Sequence, residues 1–341
     1  MSTAKQRRVR RWLLRLSLGT VLFELHLLAE AEPVLEGAVE AFGLLRDQEN
    51  LISGLVLLAH LFELTDRSAE AYRRLSMALR HDPDNLEIRA AMARNRHAAG
   101  RWRDTLAAID PIELRLDAGL ELRPGQAELV SDLLMIAAEC DIQLKQTERL
   151  TARYERAAAL HPRGRKARTA LATLCQDSGR LAEAAEHTRV LADMSEDPVE
   201  RGRTLLRAGM LFHEAAGVAP EDGDEDSGPG QALRASAFEC VRIGISLIAD
   251  RPAPVLDRGQ LEAAFWTAAP RNAGIALACL DRLLLNPEVK AVNRQALLIE
   301  GARIARERDE PDDAGRALEL ARAAQGTLPE AASGAHARCT A

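Results

Sequence analysis

Aromatic side chains make up only 3% of the 341 residues. That leaves few flat surfaces on which nucleic-acid bases stack. Runs of β-branched residues are nearly absent, so a sheet has little to be built from. Cysteine is sparse as well. Cys140, Cys175, Cys240, Cys279 and Cys339 are odd in number and far apart, and no Cys-x-x-Cys pair occurs. This excludes the usual structural zinc patterns and leaves the cysteines as reduced, buried small hydrophobes. Glycine-rich phosphate loops, His-Glu-x-x-His and Gly-x-Ser-x-Gly are missing too. Nor is there a marked excess of one charge. The net charge is −6 with both signs interspersed, which argues against a dedicated nucleic-acid surface.

What is present favours helices. The chain is 47% hydrophobic, and Ala, Leu, Arg and Glu dominate it. These residues lose little side-chain entropy in a helix. The most informative stretch runs from Ile52 to Gly100. Leu55, Leu58, Ala59 and Phe62 recur at spacings of three and four, and so do Ala71, Leu75 and Ala78. Two amphipathic helices are therefore predicted, with apolar faces turned to each other. Ala59 and Ala71 are small at the place where the helices approach. Pro83 ends the second helix, because proline lacks the donor and clashes with the preceding turn.

This set of Leu55, Leu58, Ala59, Phe62, Ala71, Leu75, Ala78 and Pro83 resembles the tetratricopeptide repeat, a helix–turn–helix unit of about 34 residues. Leu55 stands where that family often carries tryptophan. The resemblance implies an all-α fold, a right-handed α-solenoid of stacked antiparallel helix pairs. Prolines mark the later units: Pro83, Pro124, Pro162, Pro198, Pro252 and Pro287 recur at uneven intervals near one repeat length. A shift of 79 carries Leu55 to Leu134, Ala59 to Ala138, Ala78 to Ala157, Pro83 to Pro162, Ala93 to Ala172 and Gly100 to Gly179.

The expected organisation is an N-terminal helical cap over residues 1–50, a repeat solenoid over 51–325 and a disordered tail over 326–341. Pro33 is expected to open the second helix of the cap. Residues 111–126 read as a short hairpin or as a kinked continuation of the helix before them. Residues 217–231 read as a disordered acidic loop. Asp222, Asp224 and Asp226 alternate as at the start of a calcium loop, but Ser227 replaces the turn glycine and Leu233 the closing glutamate. The final pair is expected to pack through Leu297, Gly301, Ile304, Ala314, Leu318 and Ala321.

The N-terminus has two readings. Basic residues Lys5 to Arg11 precede an apolar run from Trp12 to Leu28, with Ala29-Glu30-Ala31 after it. That order fits an export signal or membrane anchor. Arg15, Glu24 and His26 interrupt the run, which fits a long first helix packed on its neighbours. The basic segment itself suits anionic lipid, nucleic acid or plain solvent.

No catalytic residue, cofactor or metal ligand is indicated. Glu183 with His187, and His60 with Glu63, share helix faces without a partnering motif. The family resemblance implies a concave groove lined by first helices, which binds an extended peptide or a partner helix. The groove positions here are His60, Glu87, Arg94, His97, Lys166, Thr173, Gln176, Arg203, Arg207 and His213. They are polar and partly basic, which suits an acidic or polar segment of a protein partner. The family's clamp for a C-terminal carboxylate requires lysine and asparagine, where this chain has Val56, His60, Ala90 and Arg94. That specific activity does not carry over. The expected function is a bacterial-type, non-catalytic interaction scaffold in the cytoplasm, without nucleic-acid binding. The alternatives are a membrane-associated assembly or export factor anchored by its N-terminal helix, and a ligand-sensing regulator or enzyme with a cryptic pocket.

Overall fold

The computed structural model describes residues 3–218, 229–248, 258–285, 291–307 and 311–326. Among them are sixteen α-helices, one 3-10 turn (Thr147–Arg149) and no strand. The chain divides into two compact units, Met1–Gly164 and Arg165–Ala341. In the first, α1 (Thr3–Glu24) pairs with α2 (Leu28–Leu45), and α3 (Gln48–Leu64) with α4 (Ser68–His81). There α5 (Leu86–Ala98) also pairs with α6 (Trp102–Asp117), and α7 (Gln126–Leu144) with α8 (Leu150–Leu160). In the second, α9 (Arg165–Asp177) pairs with α10 (Leu181–Asp193), and α11 (Pro198–Val218) with α12 (Pro229–Ile248). The last pairs are α13 (Arg258–Ala268) with α14 (Ala273–Leu284), and α15 (Ala291–Glu307) with α16 (Pro311–Gly326). Each pair also packs on the next within its unit. The chain folds as tetratricopeptide-like helix pairs.

Turn chemistry explains the pairing. Three residues separate α1 from α2, α3 from α4, α5 from α6, and α9 from α10. In each connection the middle residue is left-handed: His26, Asp66, Gly100 and Gly179 have φ of 58°, 57°, 66° and 73°. The residue after it donates to a carbonyl five positions back: Leu27 to Leu22, Arg67 to Phe62, Arg101 to Arg96, and Arg180 to Cys175, all at 2.8–2.9 Å. This is the Schellman closure, which satisfies helix-end carbonyls and reverses the chain in little space. Glycine supplies the conformation at no steric cost at Gly100 and Gly179.

The predicted packing set lies inside. Leu55, Leu58, Ala59, Ala71, Leu75 and Ala78 have no exposed surface, and Phe62 almost none. Their counterparts Leu134, Ala138 and Ala157 are buried as well, and so are Ala93 and its counterpart Ala172. Each fully buried leucine contributes roughly 1.5–3 kcal/mol. Backbone approaches backbone closely where α11 meets α12. A Cβ on Gly202 would lie 2.9 Å from the Gly244 carbonyl oxygen, and one on Gly244 3.0 Å from that of Gly202. Gly209 meets Val241 and the Ala237 carbonyl in the same way.

Several boundaries differ from those predicted. Pro33 does not open α2; it lies inside that helix, whose chain reversal at His26 already fixes an earlier start. At Pro111 the expected continuation of the preceding helix does occur: Pro111 lies inside α6, which runs to Asp117. A turn over residues 118–125 follows, so neither strand of a hairpin forms. On α16 the inward face is Ala317, Leu320 and Ala324, not Leu318, which is exposed. The shift matches α15, where Leu297, Gly301 and Ile304 do face inward. Most of the acidic loop (219–228) and of the tail (327–341) lies outside the described residues, as does Cys339.

Overpacking these contacts has a measurable cost. Ala78→Trp and Gly202→Val should each destabilise the protein by about 1–3 kcal/mol, read by urea unfolding. Unchanged midpoints in both would contradict the contact.

Candidate functional site

All ten predicted groove residues sit on the first helix of a pair. Four belong to the first unit: His60 on α3, and Glu87, Arg94 and His97 on α5. Six belong to the second: Lys166, Thr173 and Gln176 on α9, and Arg203, Arg207 and His213 on α11. They reach the surface because the rest of each helix is consumed by packing. On α5, Leu86, Ile88, Ala90, Ala91, Met92, Ala93 and Asn95 are all buried. Only a narrow strip containing Glu87 and Arg94 stays exposed.

Six of these ten residues are engaged by the protein itself. Glu87 accepts a 2.9 Å hydrogen bond from Gln126 Nε2 and lies 3.6 Å from Arg123. His97 packs edge-on against Trp102, with ring centroids 5.3 Å apart, and its Nε2 is 3.1 Å from a Glu139 oxygen. That approach satisfies distance but not hydrogen-bond alignment. Arg207 donates to the Gln176 side-chain oxygen at 3.1 Å, tying α11 to α9. His213 Nδ1 is 2.9 Å from the Thr267 hydroxyl on α13. Burial pushes the His213 pKa down, with Glu214 opposing and Arg234 assisting. Thr173 turns its hydroxyl back to the Thr169 carbonyl of its own helix. His60, Arg94, Lys166 and Arg203 are exposed.

Sequence reasoning missed two polar groups that fix these helices. Asn95 is buried on α5; it donates to Glu63 of α3 at 3.1 Å and accepts from Arg96. Its signal was an amide at a position where the helix pattern calls for an apolar residue. The other is Arg153 on α8, only 3% exposed. Its Nε and Nη2 bond the Glu113 carboxylate at 3.0 and 2.8 Å, and its Nη1 bonds Asp141 at 2.5 Å and the Ala137 carbonyl at 3.2 Å. One guanidinium thus joins α6, α7 and α8. Burial is the leading influence at both ends. It leaves the Asp141 carboxyl above its ordinary range despite Arg153, whereas the two carboxylates hold Arg153 above its own.

Burial pushes the Cys240 thiol up to about 11 and Cys279 to about 12, so thiolate is scarce near neutrality. The cleft beside Arg153 is lined by Asp110, Glu113, Asp117, Arg149 and Arg156, where opposite charges face each other. Among the described residues, no group of three or more His, Cys, Asp or Glu is placed to hold a metal ion.

No family model and no curated protein matches the chain. Solved structures resemble it in fold. A tetratricopeptide repeat protein from Parabacteroides merdae is 13% identical, with 84% of this chain and 98% of that one covered, at a TM-score of 0.44. Pseudomonas aeruginosa pilF is also 13% identical, with 73% and 96% covered, at 0.42. The yeast Sti1 TPR2AB domain, solved with an Hsp90 peptide, is 13% identical, with 85% and 95% covered, at 0.42. The helix-pair assignment rests on the chain's own turns and contacts.

Two outcomes follow. Arg153→Met should cost about 3–5 kcal/mol, because it strands Asp141 in the interior. Arg153→Met with Asp141→Leu should recover much of that loss in urea unfolding. For His213, a lowered folded pKa means the unfolded chain binds the extra proton. Its contribution is therefore complete above the unfolded value of about 6.5 and is lost as pH falls through that window. Replacement His213→Asn should flatten the stability profile below about pH 6.5.

Proposed function

We propose that the protein is a non-catalytic interaction scaffold that holds an acidic or polar peptide segment of a protein partner. The observation that carries this reading is the cationic surface of the second unit. Lys166 on α9 and Arg203 and Arg207 on α11 are all exposed. Gln176 accepts from Arg207 and so holds one of these cations in a fixed position between the two helices. Thr173 and Gln176 add polar groups beside them. An extended acidic chain meets both charge and hydrogen-bonding partners on such a surface. In the first unit, Arg94 and His60 offer a separate polar surface alongside Glu87.

In this reading residues 1–50 cap the stack and residues 51–325 carry it; of the loop expected over residues 217–231, both ends are helical, in α11 and α12, and the rest lies outside the described residues. The buried, weakly acidic thiols suit a reducing compartment, the cytoplasm. No helix among the described residues is long and apolar enough to cross a membrane.

The test uses the full chain and labelled unstructured peptides of equal length, rich either in Asp and Glu or in Lys and Arg. Acidic peptides should bind and basic ones should not. Arg203→Glu with Arg207→Glu should weaken acidic-peptide binding by roughly tenfold or more, a loss of about 1.4 kcal/mol at least, with helicity by circular dichroism unchanged. Equal binding of both peptide classes, or an unaffected variant, would remove the assignment.

A further inference from the structure

The largest concentration of exposed apolar side chains is on α1 and the turn after it. Of fifteen large hydrophobic residues exposed among the described ones, Leu13, Leu14, Leu18, Val21, Leu25 and Leu27 lie here. Leu14, Leu18 and Val21 follow helical spacing, and Leu25, the residue just after the helix end, continues the row. They are 68%, 50%, 48% and 63% exposed. The opposite side of α1 is the packed one: Gly19 meets Leu35, Trp12 approaches Gly37, and Leu16 approaches Gly54. The apolar row is therefore surplus to the fold.

Charge on α1 is segregated just as sharply. Lys5, Arg7, Arg8, Arg10, Arg11 and Arg15 precede its single acid, Glu24. The whole chain, by contrast, carries a net −6. Arg8, Arg10, Arg11 and Arg15 are exposed, and among the described residues none has a carboxylate within ion-pair distance. Arg10 and Arg11 flank the azimuth of the leucine row, one turn before it. Cations at a helix N-terminus oppose the helix dipole, so an anionic partner would relieve a standing penalty.

We propose that α1 docks on the surface of an anionic phospholipid bilayer. The helix lies in the interface, with the leucine row among the acyl chains and the arginines among the phosphates. Lying is required, since the helix is not apolar enough to span. Long arginine side chains keep their heads at the phosphates while their stems cover apolar surface. A second copy of the chain fits less well. A parallel pairing would oppose arginine to arginine.

The experiment is flotation of the full chain with vesicles of mixed phosphatidylglycerol and phosphatidylcholine, compared with phosphatidylcholine alone. The protein should float with the anionic vesicles and sediment from the neutral ones. Arg10→Glu with Arg11→Glu should weaken partition on the order of 100-fold. Leu14→Ser with Leu18→Ser should weaken it on the order of tenfold or more. Circular dichroism checks that both variants keep their helicity, as exposed positions allow. Failure of the natural chain to float overturns the proposal. So does equal partition to neutral vesicles with the arginine variant unaffected. Concentration-dependent self-association that the leucine variant abolishes also overturns it, and assigns the row to an interface between copies.

Discussion

The fold depends on how closely two helix backbones are allowed to approach. Alanine at Ala59, Ala71 and Ala78, and glycine at Gly202 and Gly244, remove the side-chain bulk that would hold the helices apart. At Gly202 the neighbouring carbonyl stands where a Cβ would be crowded. Once the backbones are close, the larger residues are no longer spacers but fillers. Phe62, Phe212 and Phe265 then occupy the spaces beside the contact and are fully or almost fully buried. With so few aromatics in the chain, the core relies on many small and medium residues rather than on a few large ones. Dispersion gains from each are small, and they accumulate only because packing is tight.

The same constraint explains what the sequence revealed. Small residues at helical spacing carry the information on one helix face, so the α3–α4 contact was readable from Leu55 to Ala78. The turns were readable only in part. Gly100 and Gly179 announce a left-handed residue, but His26 and Asp66 take that conformation with a Cβ in place. Their signal is the hydrogen bonding of the closed turn, which depends on the helices already being formed. Pro33 misled for a related reason. Proline is a local prohibition, and packing on both sides of it can carry a helix through at the loss of one backbone donor. Register in α16 failed because two apolar spacings, through Leu318 or through Leu320, were equally regular; contact with α15 decides between them.

Side-chain partners at the surface were the least readable. Exposure of His60, Arg94, Lys166 and Arg203 follows from helix periodicity, a local property. The pairing of His213 with Thr267 spans 54 positions, and that of Arg153 with Glu113 spans 40. Nothing in either local segment names the other. Burial changes these residues' character as well. Arg153 looks like one more arginine of an amphipathic helix, yet it crosslinks three helices in the interior. A half-buried histidine tied to a hydroxyl is a strut, and the residues left to meet a partner are those the stack does not use.

Ion pairs between successive helix pairs sharpen that division. Arg67 grips Glu32 with both guanidinium nitrogens, Arg74 reaches Glu36, Arg156 reaches Asp117, and Arg165 reaches Glu200. Each joins residues 35 to 39 apart, about one repeat. Exposed pairs of this kind stabilise little individually, typically less than about 1 kcal/mol. Their larger effect is on specificity, since a misaligned neighbour would leave like charges opposed. They also neutralise some of the chain's arginines where helices meet. Cations outside this scheme then stand out: Arg203 and Lys166 on the second unit, and Arg8, Arg10 and Arg11 on α1. At α1 the surplus coincides with uncovered leucines, a combination that no step of the packing requires. Stability alone would select against it, because exposed leucine promotes association and N-terminal arginine opposes the helix dipole. Its presence is best explained by a surface that makes both features favourable at once.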